Sequence, residues 1–141
     1  MSEALYQSIV LDRSRHPHHA GRPAVFDVEG KSENRMCGDM VSVFLSGADV
    51  RHEADGCAIL VASAELMCEA ATGKTDGEIA ILSDRFEHLV KTGQENPELG
   101  DLNALAGIAQ YPSRLRCATL PWSALRDAIA KGGSAGDTAN G

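Results

Sequence analysis

Val41-Ser42-Val43-Phe44-Leu45-Ser46-Gly47-Ala48-Asp49-Val50-Arg51-His52-Glu53-Ala54 reads as a β-hairpin. Val41 to Leu45 alternates enough for a strand, and Ser46 to Asp49 holds turn residues. Val50 to Ala54 is the returning strand. Upstream, Pro23 to Val28 reads as a further short strand, followed by a polar connector from Lys31 to Met36. These pieces give an antiparallel meander of about three strands. Cys37 then falls on the loop before the middle strand, and Cys57 just after the last one.

Met36-Cys37-Gly38-Asp39-Met40 lies directly upstream of the hairpin. Cys37 and Asp39 flank a glycine, which lets the backbone take a turn that a side chain resists. Thiolate and carboxylate can then point to one spot. Zn²⁺ accepts both, at about 2.3 and 2.1 Å. Cys57 and Cys117 would complete a set of three sulfurs and one oxygen. The spacing Cys-x19-Cys-x59-Cys is not a CxxC framework, and free cysteines are among the most buried residues. Spacing alone leaves open a metal site and inert, packed cysteines.

Working outward, Cys57 to Ala71 is the longest apolar segment, a largely buried helix with Asp55 as N-cap and Gly73 as C-cap. Cys57 stands at its start, where free N–H groups favour a thiolate. Cys68 lies about 16 Å further along the same helix, too far to share a metal with Cys57, and reads as core. Residues 3–15 form an amphipathic helix with Ser2 as cap, a stripe of Leu5, Tyr6, Ile9 and Val10, and Arg13 and Arg15 in the last turn. His16-Pro17-His18-His19 reads as a solvated loop, with a metal clip as the sharper alternative. Gly77 to Thr92 is a helix capped by Asp76 and Gly93. Leu99 to Ala109 is a short helix, and a last helix runs from about Cys117 to Lys131. Pro121 fits in a first turn or at a break. The organisation is one domain, 1–131, followed by a Gly/Ser/Ala-rich tail, 132–141, expected to be disordered.

Composition excludes several function classes. The net charge is −7 and no basic run exists, which argues against a nucleic-acid partner. Aromatic residues make up 4%, too few for a base-stacking platform. No apolar run approaches the roughly 20 residues of a bilayer span, so no membrane role is expected. The N-terminus shows no secretory signal, which places the chain in the cytoplasm, where four cysteines suggest metal or sulfur chemistry rather than disulfides. No GxGxxG or GxxxxGK nucleotide loop is present.

Several ordered motifs carry a family resemblance over residues 4–131. They are Leu5-Tyr6-Gln7-Ser8-Ile9-Val10-Leu11-Asp12; Asn34-x-x-Cys37-Gly38-Asp39; Gly56-Cys57-Ala58-Ile59-x-x-Ala62-Ser63-Ala64; Leu99-Gly100-Asp101-Leu102; and Arg114-x-Arg116-Cys117-Ala118-Thr119-Leu120-x-Trp122. The sequence resembles the SufU branch of the IscU/NifU-like iron–sulfur cluster assembly proteins. The segment from about Glu87 to Leu105 is similar to the insertion of that branch, and Arg116 stands where the IscU branch has His. The Leu-Pro-Pro-Val-Lys stretch of the IscU branch is absent.

The resemblance implies an α+β fold, a small antiparallel sheet packed on one side by helices. It implies a metal held by Cys37, Asp39, Cys57 and Cys117, with Cys37 the catalytic sulfur acceptor and Arg114 contacting a SufS-type cysteine desulfurase. The implied function is a zinc-dependent sulfur acceptor that takes persulfide sulfur onto Cys37. The alternative is a scaffold on which a [2Fe–2S] cluster is built and passed on. Implied partners are the desulfurase and the SUF machinery or apo-proteins, with the chain acting as a monomer. Arg35, Ala54, Leu60 and Glu65 depart from the family pattern, which usually has Pro, Gly and small or hydroxyl residues there.

Overall fold

The computed structural model describes residues 3–132. Ser2 as a cap and the segment from 133 onward lie outside the described residues. The element order is α1 (Glu3–Arg15), β1 (Val28–Asn34), β2 (Asp39–Ser46), β3 (Asp49–Asp55), α2 (Ala58–Ala71), α3 (Asp76–Thr92), a 3₁₀ segment (Pro97–Gln110), a second short one (Pro112–Arg114) and α4 (Leu115–Gly132). The fold is α+β. One antiparallel sheet in the order β1-β2-β3 packs on one face against α2 and α4.

The register explains which side chains enter the core. Val43 pairs with Gly30 on one side and His52 on the other, and all three face the helices. The first strand is not Pro23 to Val28. It begins at Val28 and runs through the supposed connector to Asn34. Its sequence, Val28-Glu29-Gly30-Lys31-Ser32-Glu33-Asn34, lacks the β-branched pattern because α4 lies close over its centre. A Cβ on Gly30 would stand 2.1 Å from the Ala124 carbonyl oxygen. Only glycine admits that approach. Residues 22–27 instead cover the outer face of the sheet. The Phe26 ring lies 5.0 Å from that of Phe44, and the Arg22 guanidinium sits 4.7 Å above Phe44.

Several caps differ from the sequence expectation. Cys57, not Asp55, is the N-cap of α2, with extended backbone and no side-chain bond to the helix. Thr75, not Asp76, caps α3 through a full capping box with Glu78. Gly93 ends α3 in the left-handed region, as expected. Pro121 lies inside α4 and is buried, in neither a first turn nor a break. Its missing N–H leaves backbone polarity near Cys117 to be satisfied otherwise. Ser63 Oγ of α2 donates to the Ala118 carbonyl at 2.6 Å, fixing α4 to α2 next to that cysteine.

The core centres on Leu60, Leu66, Met67, Phe86, Leu89, Leu120, Trp122 and Leu125. Phe86 and Trp122 stack with ring centroids 4.6 Å apart. Cys68 is fully buried, as expected, while Leu5 of the α1 stripe is exposed. The histidine loop divides. His16 and His18 are exposed, but His19 is half-buried against the buried Glu65. The His19 N–H donates to Glu65 Oε1 at 2.9 Å, and its Nδ1 lies 2.7 Å from Oε2. His52 Nε2 approaches the same carboxylate at 3.2 Å. Burial pushes the Glu65 carboxyl pKa up, but the bonds from His52 and His19 outweigh it and bring it down to about 2.

Candidate metal centre

Three structural junctions meet at one end of the sheet. Asp39 opens β2, Cys57 caps α2, and Cys117 is the third residue of α4. Their ligand atoms all lie within 4.8 Å of one another. Asp39 and Cys117 are 5% and 4% exposed, and Cys57 is half-buried. Cys117 Sγ donates to Asp39 Oδ2 at 3.5 Å. Two helix N-termini therefore end at the same cluster, and both favour anionic sulfur.

Gly56 makes room for this arrangement. A Cβ there would lie 2.5 Å from Asp39 Oδ1 and 2.5 Å from Leu60 Cδ2. Without a counter-charge the Cys117 thiol resists ionisation. Burial, then the neighbouring Cys57 and Asp39, push the Cys117 thiol up to about 12. Two sulfurs and a carboxylate, packed together and largely out of water, suit a cation that accepts both donor types. Zn²⁺ is such a cation, and an iron–sulfur cluster is held by the same kind of thiolate.

Cys37 is placed differently from the other three. It lies on the four-residue turn between β1 and β2 and is exposed. Gly38 next to it has φ +75°, the left-handed geometry that the Cys-Gly-Asp spacing anticipates. Asn34 organises this turn. Its carbonyl accepts from the N–H groups of Cys37 and Gly38 at 3.2 and 2.9 Å, and its Oδ1 accepts from the Met36 N–H. Asn34 Nδ2 lies 3.6 Å from Cys37 Sγ as a donor. Asn34 and Gly56 stand in the quoted motifs, which assign neither a role. Asn and Gly beside a ligand are the signals that could have found them.

Arg114 is exposed in the short 3₁₀ turn before α4, one turn ahead of Cys117. Met36 is 97% exposed and Met40 52% exposed. The turn that carries Cys37, next in sequence to Asp39 of the largely buried trio, is thus exposed. No helix among the described residues is long and apolar enough to cross a membrane.

A three-stranded sheet with helices on one face, and a cysteine–carboxylate cluster where two helices begin, define a small α+β domain with a candidate metal site. The model of the NifU-like N terminal domain matches residues 5–118, and the chain belongs to that family, whose members include the IscU and SufU proteins. It is 39% identical over 140 residues to the iron–sulfur cluster assembly scaffold protein IscU of Streptococcus pyogenes serotype M1, covering 93% of this chain and 86% of that protein. It is 32% identical over 139 residues to the zinc-dependent sulfurtransferase SufU of Bacillus subtilis, covering 92% of each. The crystal structure of a nitrogen-fixing NifU-like protein (N-terminal) from Brucella abortus superposes with a TM-score of 0.80 at 22% identity, covering 95% of this chain and 99% of that one, a likeness of fold.

Proposed function

We propose that this chain serves iron–sulfur cluster assembly as a zinc-bound sulfur acceptor, receiving sulfur on Cys37 from a cysteine desulfurase. One observation carries the reading: the exposure of Cys37 beside a buried trio of Asp39, Cys57 and Cys117. Three groups sit on rigid junctions, and the fourth rides on a turn that faces outward. A zinc held by Asp39, Cys57, Cys117 and Cys37 would supply positive charge that keeps the thiolates ionised without redox chemistry.

The chemistry of the chain's own residues is then short. The Cys37 thiolate attacks the outer sulfur of a persulfide on the partner's cysteine. A new S–S bond forms on Cys37, the partner's S–S bond breaks, and the partner's sulfur leaves as a thiolate. Asn34 Nδ2 donates toward Cys37 Sγ and steadies its negative charge before attack. Arg114, exposed one turn before Cys117, is suited to meet an acidic surface of a SufS-type desulfurase.

The test pairs elemental analysis of protein purified without added metal with desulfurase-driven persulfide formation. Wild-type protein is expected to hold one zinc and to acquire persulfide on Cys37, and Cys37→Ser to acquire none. Undiminished acceptance by Cys37→Ser would remove the proposal. The second reading, a scaffold for a [2Fe–2S] cluster, draws on the likeness to IscU and on two cysteines gathered with Asp39, with Cys37 on the adjoining turn. Anaerobic reconstitution separates the two: charge-transfer absorption with labile sulfide supports the scaffold, and retained zinc with no such absorption supports the acceptor.

A further inference from the structure

The two edges of the sheet are finished differently. On the β1 edge, α4 supplies side-chain partners for the outward backbone groups. The Lys31 N–H donates to Asp127 Oδ2 at 3.0 Å, and the Glu29 carbonyl accepts from Lys131 Nζ at 3.4 Å. On the β3 edge, among the described residues, only His52 is covered. Its N–H donates to the His19 carbonyl at 3.0 Å, and its carbonyl accepts from the Gly21 N–H at 2.8 Å. This single parallel bridge, Ala20 to His52, ends there.

The reason is local. Continuing the pairing would need the Ala54 N–H to reach the Gly21 carbonyl, and the N–H of residue 23 to reach the Ala54 carbonyl. The Gly21 carbonyl instead accepts from Arg51 Nε at 3.4 Å. Residue 23 is Pro, which has no N–H. Gly21, at φ +111°, turns the chain away. Because His52 points its backbone outward, Ala54, two residues on, does so as well. Among the described residues, nothing outside the sheet bonds to the Ala54 N–H or carbonyl.

A cavity of about 420 Å³ opens at this place, walled by Pro17, Gly21, Ala54 and Val61, with Glu53 and Asp55 at its border. An unpaired edge next to a cavity is where an extended peptide can add a strand. The register fixes the chemistry of that peptide. Ala54 faces the helix side with Val41 and Val61, so the side chain beside it must be small and apolar. Glu53 and Asp55 face the opposite side, so their neighbours must be basic. Glu53 has Arg22 at 3.9 Å, while Asp55 makes no ion pair among the described residues. The chain as a whole carries a net charge of −7.

We propose that the β3 edge at Ala54 is a docking site for an extended segment of a partner protein with alternating basic and small apolar residues, bound by strand addition. Asp55 is separated from the ligand Cys57 by one residue, so the docked segment lies beside the metal centre. The proposal does not depend on the chemistry at Cys37.

The test uses the full chain and a seven-residue, acetylated and amidated peptide of alternating Lys and Val, with a Glu/Val peptide as comparator. Binding is read by fluorescence anisotropy, and the edge by amide hydrogen exchange at Ala54. The Lys/Val peptide is expected to bind at least about tenfold more tightly and to slow Ala54 exchange about tenfold or more. Absence of binding, equal binding by the Glu/Val peptide, or binding with Ala54 exchange unchanged would each overturn the proposal. Ala54→Pro, tolerable on an edge strand, should abolish binding. The exchange measurement on unsubstituted protein decides the matter even if that variant fails to fold.

Discussion

Gly56 leaves the room that lets Asp39 reach the proposed metal centre. Its α-carbon faces both the Asp39 carboxylate and the Leu60 side chain, and an added methyl would overlap each at 2.5 Å. Asp39 begins a paired strand opposite Asn34, and its neighbour Met40 pairs with Asp55, so it cannot retreat without breaking that register. Gly56→Ala should therefore lower zinc affinity about tenfold or more, with an overpacking cost of about 1–3 kcal/mol. A chelator competition titration measures the first, and a urea melt of the metal-free protein the second. An unchanged affinity would mean that Asp39 is not a ligand.

Glu65 sets a second residue-scale expectation. Its carboxyl is held down at about 2 in the folded chain, against an ordinary value of 4.5. A depressed folded pKa gives stability that is complete above the unfolded value. That stability is lost as pH falls from about 4.5 toward 2, about 3 kcal/mol in all. Urea melts at pH 5, 4 and 3 should show a steeper loss for wild-type than for Glu65→Gln. Parallel curves would mean that the His19 and His52 contacts do not hold the charged form. The sequence marks Glu65 as a departure from the family pattern, without showing what holds it. Its partners are 46 and 13 residues away and no periodicity links them.

At the scale of elements, the backbone of α4 lies directly over β1 at Gly30. An added Cβ meets backbone of both Ala124 and Ala128, so no rotamer change relieves it. Gly30→Ala should cost more than about 3 kcal/mol. It should also weaken metal binding from a distance, because α4 carries Cys117. Thermal unfolding with and without zinc would report both effects. A loss of stability with full affinity would uncouple α4 from the site. The same glycine explains why β1 was illegible. Hydrophobic alternation finds strands that bury side chains, and β1 buries a backbone position. The β2–β3 hairpin and α2 were legible because they bury side chains at regular spacing. The cap of α3 was misread by one residue because Thr75 and Asp76 are both good caps, and only the reciprocal bond from Glu78 separates them.

For the whole molecule, the ligand candidates follow a simple division. Asp39, Cys57 and Cys117 sit where elements begin, and the chain path alone could not show that these three ends meet. The family motifs named them, and the sheet and two helices bring them to one point. Much of the core lies away from the site. Trp122 stacks on Phe86 and is 1% exposed, within a core that extends across α2, α3 and α4. Metal binding should thus add stability to a chain already folded, by about 2.7 kcal/mol at a free zinc concentration 100-fold above the dissociation constant. Chelation should lower the melting temperature yet leave the near-ultraviolet circular dichroism of the single tryptophan intact. Amide exchange should accelerate first at residues 35–38 and at the start of α2, where Cys37 and Cys57 lose their tether. Collapse of the Trp122 signal on chelation would instead make the metal a condition of folding, and the open turn at Cys37 would then belong to a structural staple rather than to a site that exchanges sulfur with a partner.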